Sequence, residues 1–308
     1  MIYPSIAQLI GGTPLLELRN LENNHHLQAR LLAKLEKNNP AGSSKDRVAL
    51  QIILAGERQG LLRPGGTIIE ATSGNTGIAL CAIAAARGYG CIIVMPDTMS
   101  RERRLLISAL GGKLVLTPGQ EGMTGAVAKA RELQKAIPGS IIAGQFINPA
   151  NPESHYHSTG PEIWEDTDGN VDIFVAGIGT GGTITGTGGY LREKNPKIRI
   201  IGVEPKESPL ITKGFSGPHS IQGIGANFIP EILDLSMVDE VVTVATEDAY
   251  AAGRQLAREE GVLVGISSGC ALHAALELAK KEEHKGKTIV VLLPDSGERY
   301  LTTPMYQE

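Results

Sequence analysis

The sequence predicts an open α/β fold with mostly parallel sheets. Short apolar runs of strand length alternate with segments of helical periodicity, the crossovers between runs are helix-sized, and glycine-rich loops fall where several runs end. The strand-like runs are Arg30 to Leu35, Thr67 to Glu70, Cys91 to Met95, Lys113 to Leu116, Ile173 to Ile178, Arg199 to Val203 and Thr288 to Leu293. Helical periodicity covers Asp46 to Gln59, Gly77 to Arg87, Arg101 to Leu110, Thr124 to Ala136, Glu247 to Glu260 and Ala271 to Lys280, with a further helix expected from about Gly182 to Lys194. Ile141 to Asn151 has little periodicity and is a candidate domain boundary. Pro205 to Pro230, rich in Gly, Pro and Ser, reads as a long loop system of the kind that is usually functional or mobile.

With 308 residues, 42% of them hydrophobic, the chain can bury one substantial core or two moderate ones, and its 38 glycines imply many tight turns. Basic and acidic side chains nearly balance, 29 against 33, so no broad electropositive face for nucleic acid or anionic lipid is expected. Cys81, Cys91 and Cys270 lie in apolar segments without a CxxC or paired Cys/His spacing, which suits buried thiols in a reducing compartment better than disulfides or zinc. His155, His157, His25 and His26 read as polar structural residues, and no metal is expected. No signal-like start and no membrane-length apolar run is present, so a soluble cytoplasmic protein is expected.

Two loops and one lysine carry the chemistry. The run Thr67 to Thr72 feeds Ser73-Gly74-Asn75-Thr76-Gly77, after which an apolar helix begins. Backbone N–H groups at a helix start, with the Ser73 and Thr76 hydroxyls and the Asn75 amide, suit a carboxylate; the same residues also serve as ordinary helix caps. The second loop, Gly177-Ile178-Gly179-Thr180-Gly181-Gly182-Thr183, follows Ile173 to Ala176, and its glycines let the backbone approach a dianion while Thr180 and Thr183 offer hydroxyls. It lacks the Gly-Lys-Ser/Thr of a nucleotide-triphosphate loop. Glu204, about 20 residues on, leaves a dinucleotide site as a rival, but a bare phosphate monoester fits better. Lys45 follows Gly42-Ser43-Ser44 at a probable helix start, where the dipole disfavours an ammonium and so favours a nucleophilic amine. Asp46 and Arg47 read as structural charges. Gly265-Ile266-Ser267-Ser268-Gly269 and Pro294-Asp295-Ser296-Gly297 lie at strand ends, where open sheets bind ligands. An amine, a carboxylate cradle and a phosphate cradle are what a pyridoxal phosphate enzyme acting on an amino acid needs.

Together with Gln222-Gly223-Ile224-Gly225-Ala226, these motifs resemble, in order and over nearly the whole chain, the cysteine synthases (O-acetylserine sulfhydrylases) of the fold type II pyridoxal phosphate enzymes. The resemblance implies two open, twisted, mostly parallel-sheet domains like those of the tryptophan synthase β-subunit. It places residues 1–47 and 150–308 in a larger cofactor-binding domain, and 48–149 in a smaller mobile domain carrying the substrate carboxylate loop. It implies pyridoxal 5'-phosphate as cofactor and Lys45 as Schiff-base lysine and general base. Asn75 would bond the cofactor 3'-oxygen, and Gly179, Thr180, Gly181, Gly182 and Thr183 the phosphate. Ser267 would face the pyridine nitrogen, a role that sequence leaves open between Ser267 and Ser268. Thr72, Ser73, Thr76 and Gln145 would hold the substrate carboxylate. The implied reaction is β-replacement of the acetate of O-acetyl-L-serine by sulfide through an α-aminoacrylate, in a homodimer able to associate with serine acetyltransferase. Ser44 stands where the family usually has valine and Asn227 where it has glycine, and features of A-type and B-type enzymes are mixed. The thiol donor therefore stays open between sulfide, thiosulfate and homocysteine. Cystathionine β-synthase and serine/threonine dehydratase are the enzymatic alternatives, and a cofactor-free binding module is the non-enzymatic one.

Overall fold

A computed structural model describes residues 2–307 and divides them into two compact units: a larger one of Gly11–Asn38 with residues 152–307, and a smaller one of residues 2–10 with Asn39–Asn151. The larger unit begins with β1 (Leu15–Glu17), α1 (Arg19–Asn24) and β2 (Arg30–Leu35). The smaller unit follows with α2 (Lys45–Arg58), β3 (Thr67–Ala71), α3 (Asn75–Arg87), β4 (Gly90–Pro96), α4 (Arg101–Ala109), β5 (Lys113–Thr117), α5 (Gly122–Ala136) and β6 (Ile141–Ile142). The division falls within α6 (Ala150–Ser154), after which a π-helical turn, His155–Thr159, leads into α7 (Gly160–Asp166). The larger unit continues through β7 (Ile173–Gly177), α8 (Gly182–Lys194), β8 (Arg199–Pro205), α9 (Leu210–Lys213), β9 (Glu240–Val244), α10 (Thr246–Glu260), α11 (Ile266–Ala279) and β10 (Thr288–Leu293).

The larger unit's sheet has the order β1-β2-β10-β7-β8-β9, parallel except for the β1–β2 pair. Every residue of β10 is buried, because both faces of the sheet are covered. Ile289, Val291 and Leu293 face one core with Ile173, Val175, Ile201, Val203 and α11, while Val290 and Leu292 face a second with Phe174, Ile200 and α8. The near-continuous apolar runs of these strands follow from that double covering. Against α11 lies amphipathic α10, whose Gly253 and the Gly269 of α11 let the two backbones meet closely.

The smaller unit's four strands run parallel in the order β5-β4-β3-β6. Ile68, Cys91, Ile93 and Met95 share a core with Val48 and Ile52 of α2 and Ile78, Leu80 and Ile83 of α3. Ile69, Ile92 and Val94 face the other way, onto Ala126 and Ala130 of α5. All three cysteines are buried. Among the described residues no helix is long and apolar enough to cross a membrane.

Each of the seven strand-like runs forms a strand. Strands β1, β6 and β9 were not predicted: β6 has two residues, and β1 and β9 are half-buried edges without a continuous apolar run. The last long helix starts earlier than its periodicity suggested. Ser267, Ser268 and Gly269 lie inside the first turn of α11 and do not precede it, because extended Gly265 occupies the N-cap.

Candidate active site

At the end of β3 the chain turns through Thr72-Ser73-Gly74 into α3, whose N-cap is Gly74 with no side-chain cap. The N-cap position therefore offers the first-turn N–H groups no side-chain acceptor. Thr72 Oγ1 accepts from the Gly74 N–H at 3.2 Å, and the Ser73 carbonyl accepts from the Arg103 guanidinium at 3.0 Å. Thr76 Oγ1 donates to Gln145 Oε1 at 2.6 Å. The four residues expected to hold a carboxylate, Thr72, Ser73, Thr76 and Gln145, are thus gathered within the smaller unit, with Asn75 as the first residue of α3.

Gln145 comes from the segment after β6, and its backbone is fixed on both sides. Its N–H donates to Glu70 Oε1 at 3.2 Å, and its carbonyl accepts from Asn151 Nδ2 at 2.8 Å. Glu70 Oε2 accepts from the Gly144 N–H at 2.8 Å, and burial pushes the Glu70 carboxyl up to about 7. Glu70 and Arg103 were missed by sequence reasoning. One looked like a strand residue and the other like a helix-face charge, and only burial, 3% and 9% exposed, sets them apart.

Lys45 is the first residue of α2, half-buried, and Asn39 to Arg47 group with the smaller unit. Its backbone N–H donates to Ser43 Oγ at 3.3 Å. Asp46 serves the turn before the helix, as its structural reading anticipated: Oδ2 accepts from the Ala41 N–H at 2.6 Å across Gly42, whose φ is +82°. Ser44, the departure from the family pattern, is buried and makes no side-chain cap; nothing in the structure explains it. Asn227, the other departure, is exposed.

In the larger unit β7 ends at Gly177, and Ile178 to Gly181 lead into α8. Gly181 is left-handed at φ +86°, and a Cβ on Gly179 would run into the Gly223 carbonyl oxygen. Only glycine fits either position. The Ile178 N–H donates to Val203, and the Ile178 carbonyl accepts from Gly225, so the loop is pinned to β8 and to the Gln222–Gly225 segment. Thr180 Oγ1 accepts from the Gly182 N–H at 3.4 Å, and α8 has no side-chain cap. Thr183 Oγ1 lies 3.3 Å from Nε2 of buried His155, whose Nδ1 pairs with Thr159 Oγ1 at 2.9 Å in the π-helical turn. That contact links residues far apart in sequence and was not anticipated.

Gly223 also separates the two serines. A Cβ there would sit 3.4 Å from Ser267 Oγ, and Ser267, 4% exposed, makes no side-chain hydrogen bond among the described residues. Ser268 Oγ instead donates to Asp295 Oδ1 at 3.5 Å, and Asp295 Oδ2 accepts from Tyr300 at 2.5 Å. A hydroxyl on a largely buried residue that makes no side-chain hydrogen bond fits a ligand nitrogen. The glycine cradle at the start of α8 fits a phosphate dianion. Glu204, the residue behind the dinucleotide rival, is occupied: its carboxylate accepts from the Ile211 and Thr212 N–H groups and the Thr212 hydroxyl at the start of α9. The larger unit's donors therefore suit the pyridoxal phosphate set.

Comparison with known proteins agrees. The family model described as pyridoxal-phosphate dependent enzyme matches residues 6–295. A cysteine synthase from Staphylococcus aureus is 50% identical over 303 residues, covering 98% of this chain and 96% of that protein. Among solved structures, a cysteine synthase from Entamoeba histolytica matches with TM-score 0.96 at 47% identity, covering 99% of this chain and 91% of that one. An O-ureido-L-serine synthase matches with TM-score 0.94 at 45% identity, covering 99% and 96%. The chain belongs to the cysteine synthase family of pyridoxal-phosphate dependent enzymes.

Proposed function

We propose that the protein makes L-cysteine from O-acetyl-L-serine and sulfide, with pyridoxal 5'-phosphate as cofactor. The observation that carries this reading is 50% identity to a cysteine synthase over 98% of the chain. The gathered carboxylate loop and the glycine cradle support it. Pyridoxal phosphate, when bound, supplies a carbonyl for the substrate amine and a ring that takes up electrons as the α proton leaves. Lys45 holds the cofactor as its amine partner, removes the α proton as general base and returns it after the thiol has added. Gly179 to Thr183 hold the phosphate, Asn75 bonds the 3'-oxygen, and Ser267 faces the ring nitrogen. A neutral serine leaves that nitrogen uncharged, which makes the ring a weak electron sink suited to elimination and replacement at the β carbon. Thr72, Ser73, Thr76 and Gln145 bind the substrate carboxylate.

The proposal includes a mobile role for the domain drawn from the sequence at 48–149, which would shield the reacting centre from water. It also includes a soluble cytoplasmic homodimer able to bind serine acetyltransferase. The deciding experiment records the visible spectrum of the purified protein with O-acetylserine, then adds sulfide, thiosulfate or homocysteine and assays the product. Fastest return of the starting spectrum with sulfide, together with release of cysteine, is the expected result. Faster condensation of serine with homocysteine would move the protein to the cystathionine-forming branch.

A further inference from the structure

We propose that Glu70 is a positioning residue for the amino-acid carboxylate site: its buried carboxylate fixes the turn at Ala143 to Gln145 so that the Gln145 amide meets Thr76. The proposal rests on the carboxylate-binding role of Gln145 given above. Glu70 sits near the end of β3, opposite Ile93 in register, on the face shared by Ile68 and covered by α2 and α3. A carboxylate in such a setting is costly unless it is hydrogen-bonded. Its partners are two main-chain N–H groups, those of Gly144 at 2.8 Å and Gln145 at 3.2 Å.

Local geometry explains why a side chain is needed there. Strand β6 pairs with β3 through Ile141 and Ile142, and the Ala143 N–H still donates to the Ile69 carbonyl. Gly144 then turns left-handed at φ +66°, and the ladder ends. The next two N–H groups would lose their acceptors inside the unit, and the Glu70 carboxylate supplies both. A linked series follows: Glu70 to the Gln145 backbone, and the Gln145 side chain to Thr76 in the first turn of α3. The charged form accepts both N–H groups. The protonated form turns one oxygen into a donor facing an N–H, so one bond is lost and the turn loosens.

Titratable groups lie on each helix packed against this face; α4, whose Ile107 joins the same core, brings Arg101, Glu102, Arg103 and Arg104. Strand β4 brings the Cys91 thiol and α3 brings Cys81 and Arg87, the last paired with Glu57. Helix α2 brings Lys45, Asp46 and Arg47 in its first turn and Glu57 and Arg58 in its last. Strand β6 brings none. Burial, opposed by the two backbone bonds, is what sets the Glu70 carboxyl at about 7.

The test compares Glu70→Gln, Gln145→Ala and the wild-type holoenzyme. Glu70→Gln is expected to raise KM for O-acetylserine about tenfold, the loss of one bond to a charged acceptor, with kcat little changed. In the full-length wild-type protein, the Gly144 and Gln145 amide resonances are expected to titrate with a midpoint near 7, and in Glu70→Gln they should not. Unchanged KM in Glu70→Gln alongside a raised KM in Gln145→Ala would overturn the role of Glu70 while leaving the site intact. Unchanged KM in Gln145→Ala would instead overturn the carboxylate site itself. If Glu70→Gln does not fold, Glu70→Asp decides: a carboxylate set back by one methylene is expected to raise KM for O-acetylserine, and an unchanged KM rejects the proposal.

Discussion

Lys45 is the first residue of α2 and is proposed as amine partner of the cofactor and general base. Lys45→Ala is expected to abolish both turnover and the visible absorption of the loaded enzyme; retention of either in a stopped assay and a spectrum would sink its assignment. The serine pair offers a sharper contrast. Ser267→Asp would place a charge toward the ring nitrogen and is expected to cut β-replacement at least about tenfold while shifting the spectrum. Ser268→Ala removes the bond to Asp295 and should cost about 1 kcal/mol of stability by urea denaturation without a spectral change. If Ser268→Ala alters the spectrum and Ser267→Asp does not, the two roles are reversed. Glu70 adds a stability signature of definite sign. Its folded-state pKa, about 7, lies above the ordinary 4.5, so the folded chain binds more protons than the unfolded one between these values. Stability from this group is therefore full below the unfolded value and falls as pH rises toward and through the folded one, by a few kcal/mol, on the order of 1.4 per unit. Glu70→Gln should flatten that fall in a series of urea midpoints across pH, even as substrate binding weakens. The placement of Lys45 and of the two glycine loops at helix starts was legible in sequence because each motif is contiguous. Glu70 and Arg103 were not: each acts on residues remote in the chain, and burial, which sequence does not display, is what gives it a role; for His155 the polar structural reading was available but the contact with Thr183 was not.

Among the elements, legibility followed continuous apolar sequence, which burial on two faces produces in most strands and which edge strand β5 also has. Strands β2, β4, β7, β8 and β10 read as strands because almost every side chain enters a core. Strand β6 did not, since two residues give no period, and with it went the reason Gln145 stands where it does. The junction of α6 and α7 shows the same limit: the π-helical turn that brings His155 to Thr183 has no sequence signal of its own. The start of α8 was legible through its glycines, and the structure gives each a separate cause. At Gly181 an alanine would meet both the left-handed φ of +86° and Leu233. Gly181→Ala is expected to cost about 1–2 kcal/mol from backbone handedness alone, with further loss from the collision. It should also weaken cofactor retention during dialysis. Wild-type retention together with wild-type urea midpoints would show that the loop tolerates the side chain and is not a tight phosphate cradle.

At the scale of the whole molecule, each unit has its own mostly or wholly parallel sheet and its own cores, and the candidate residues are divided between them. Lys45 and the residues proposed to bind the carboxylate belong to the smaller unit, and the proposed phosphate loop and Ser267 belong to the larger. Ligands should therefore leave separable marks on hydrogen exchange. Phosphate-bearing cofactor added to the apo protein is expected to slow exchange at residues 178–185 and 222–226. An amino-acid product, L-cysteine, added to the holoenzyme should further slow residues 72–77 and 143–151, beyond the general slowing of β10, which is buried on both faces and exchanges by global opening. At a hundredfold excess over its dissociation constant, a ligand that binds only the folded chain stabilises it by about 2.7 kcal/mol, enough to read as a clear slowing wherever exchange proceeds by global opening. Slowing of 143–151 that matches 72–77 in wild type, yet is lost there in Glu70→Gln, would join the buried carboxylate to the substrate site. Slowing confined to the larger unit after L-cysteine is added would contradict the carboxylate role of Thr72, Ser73, Thr76 and Gln145 while leaving the phosphate cradle standing.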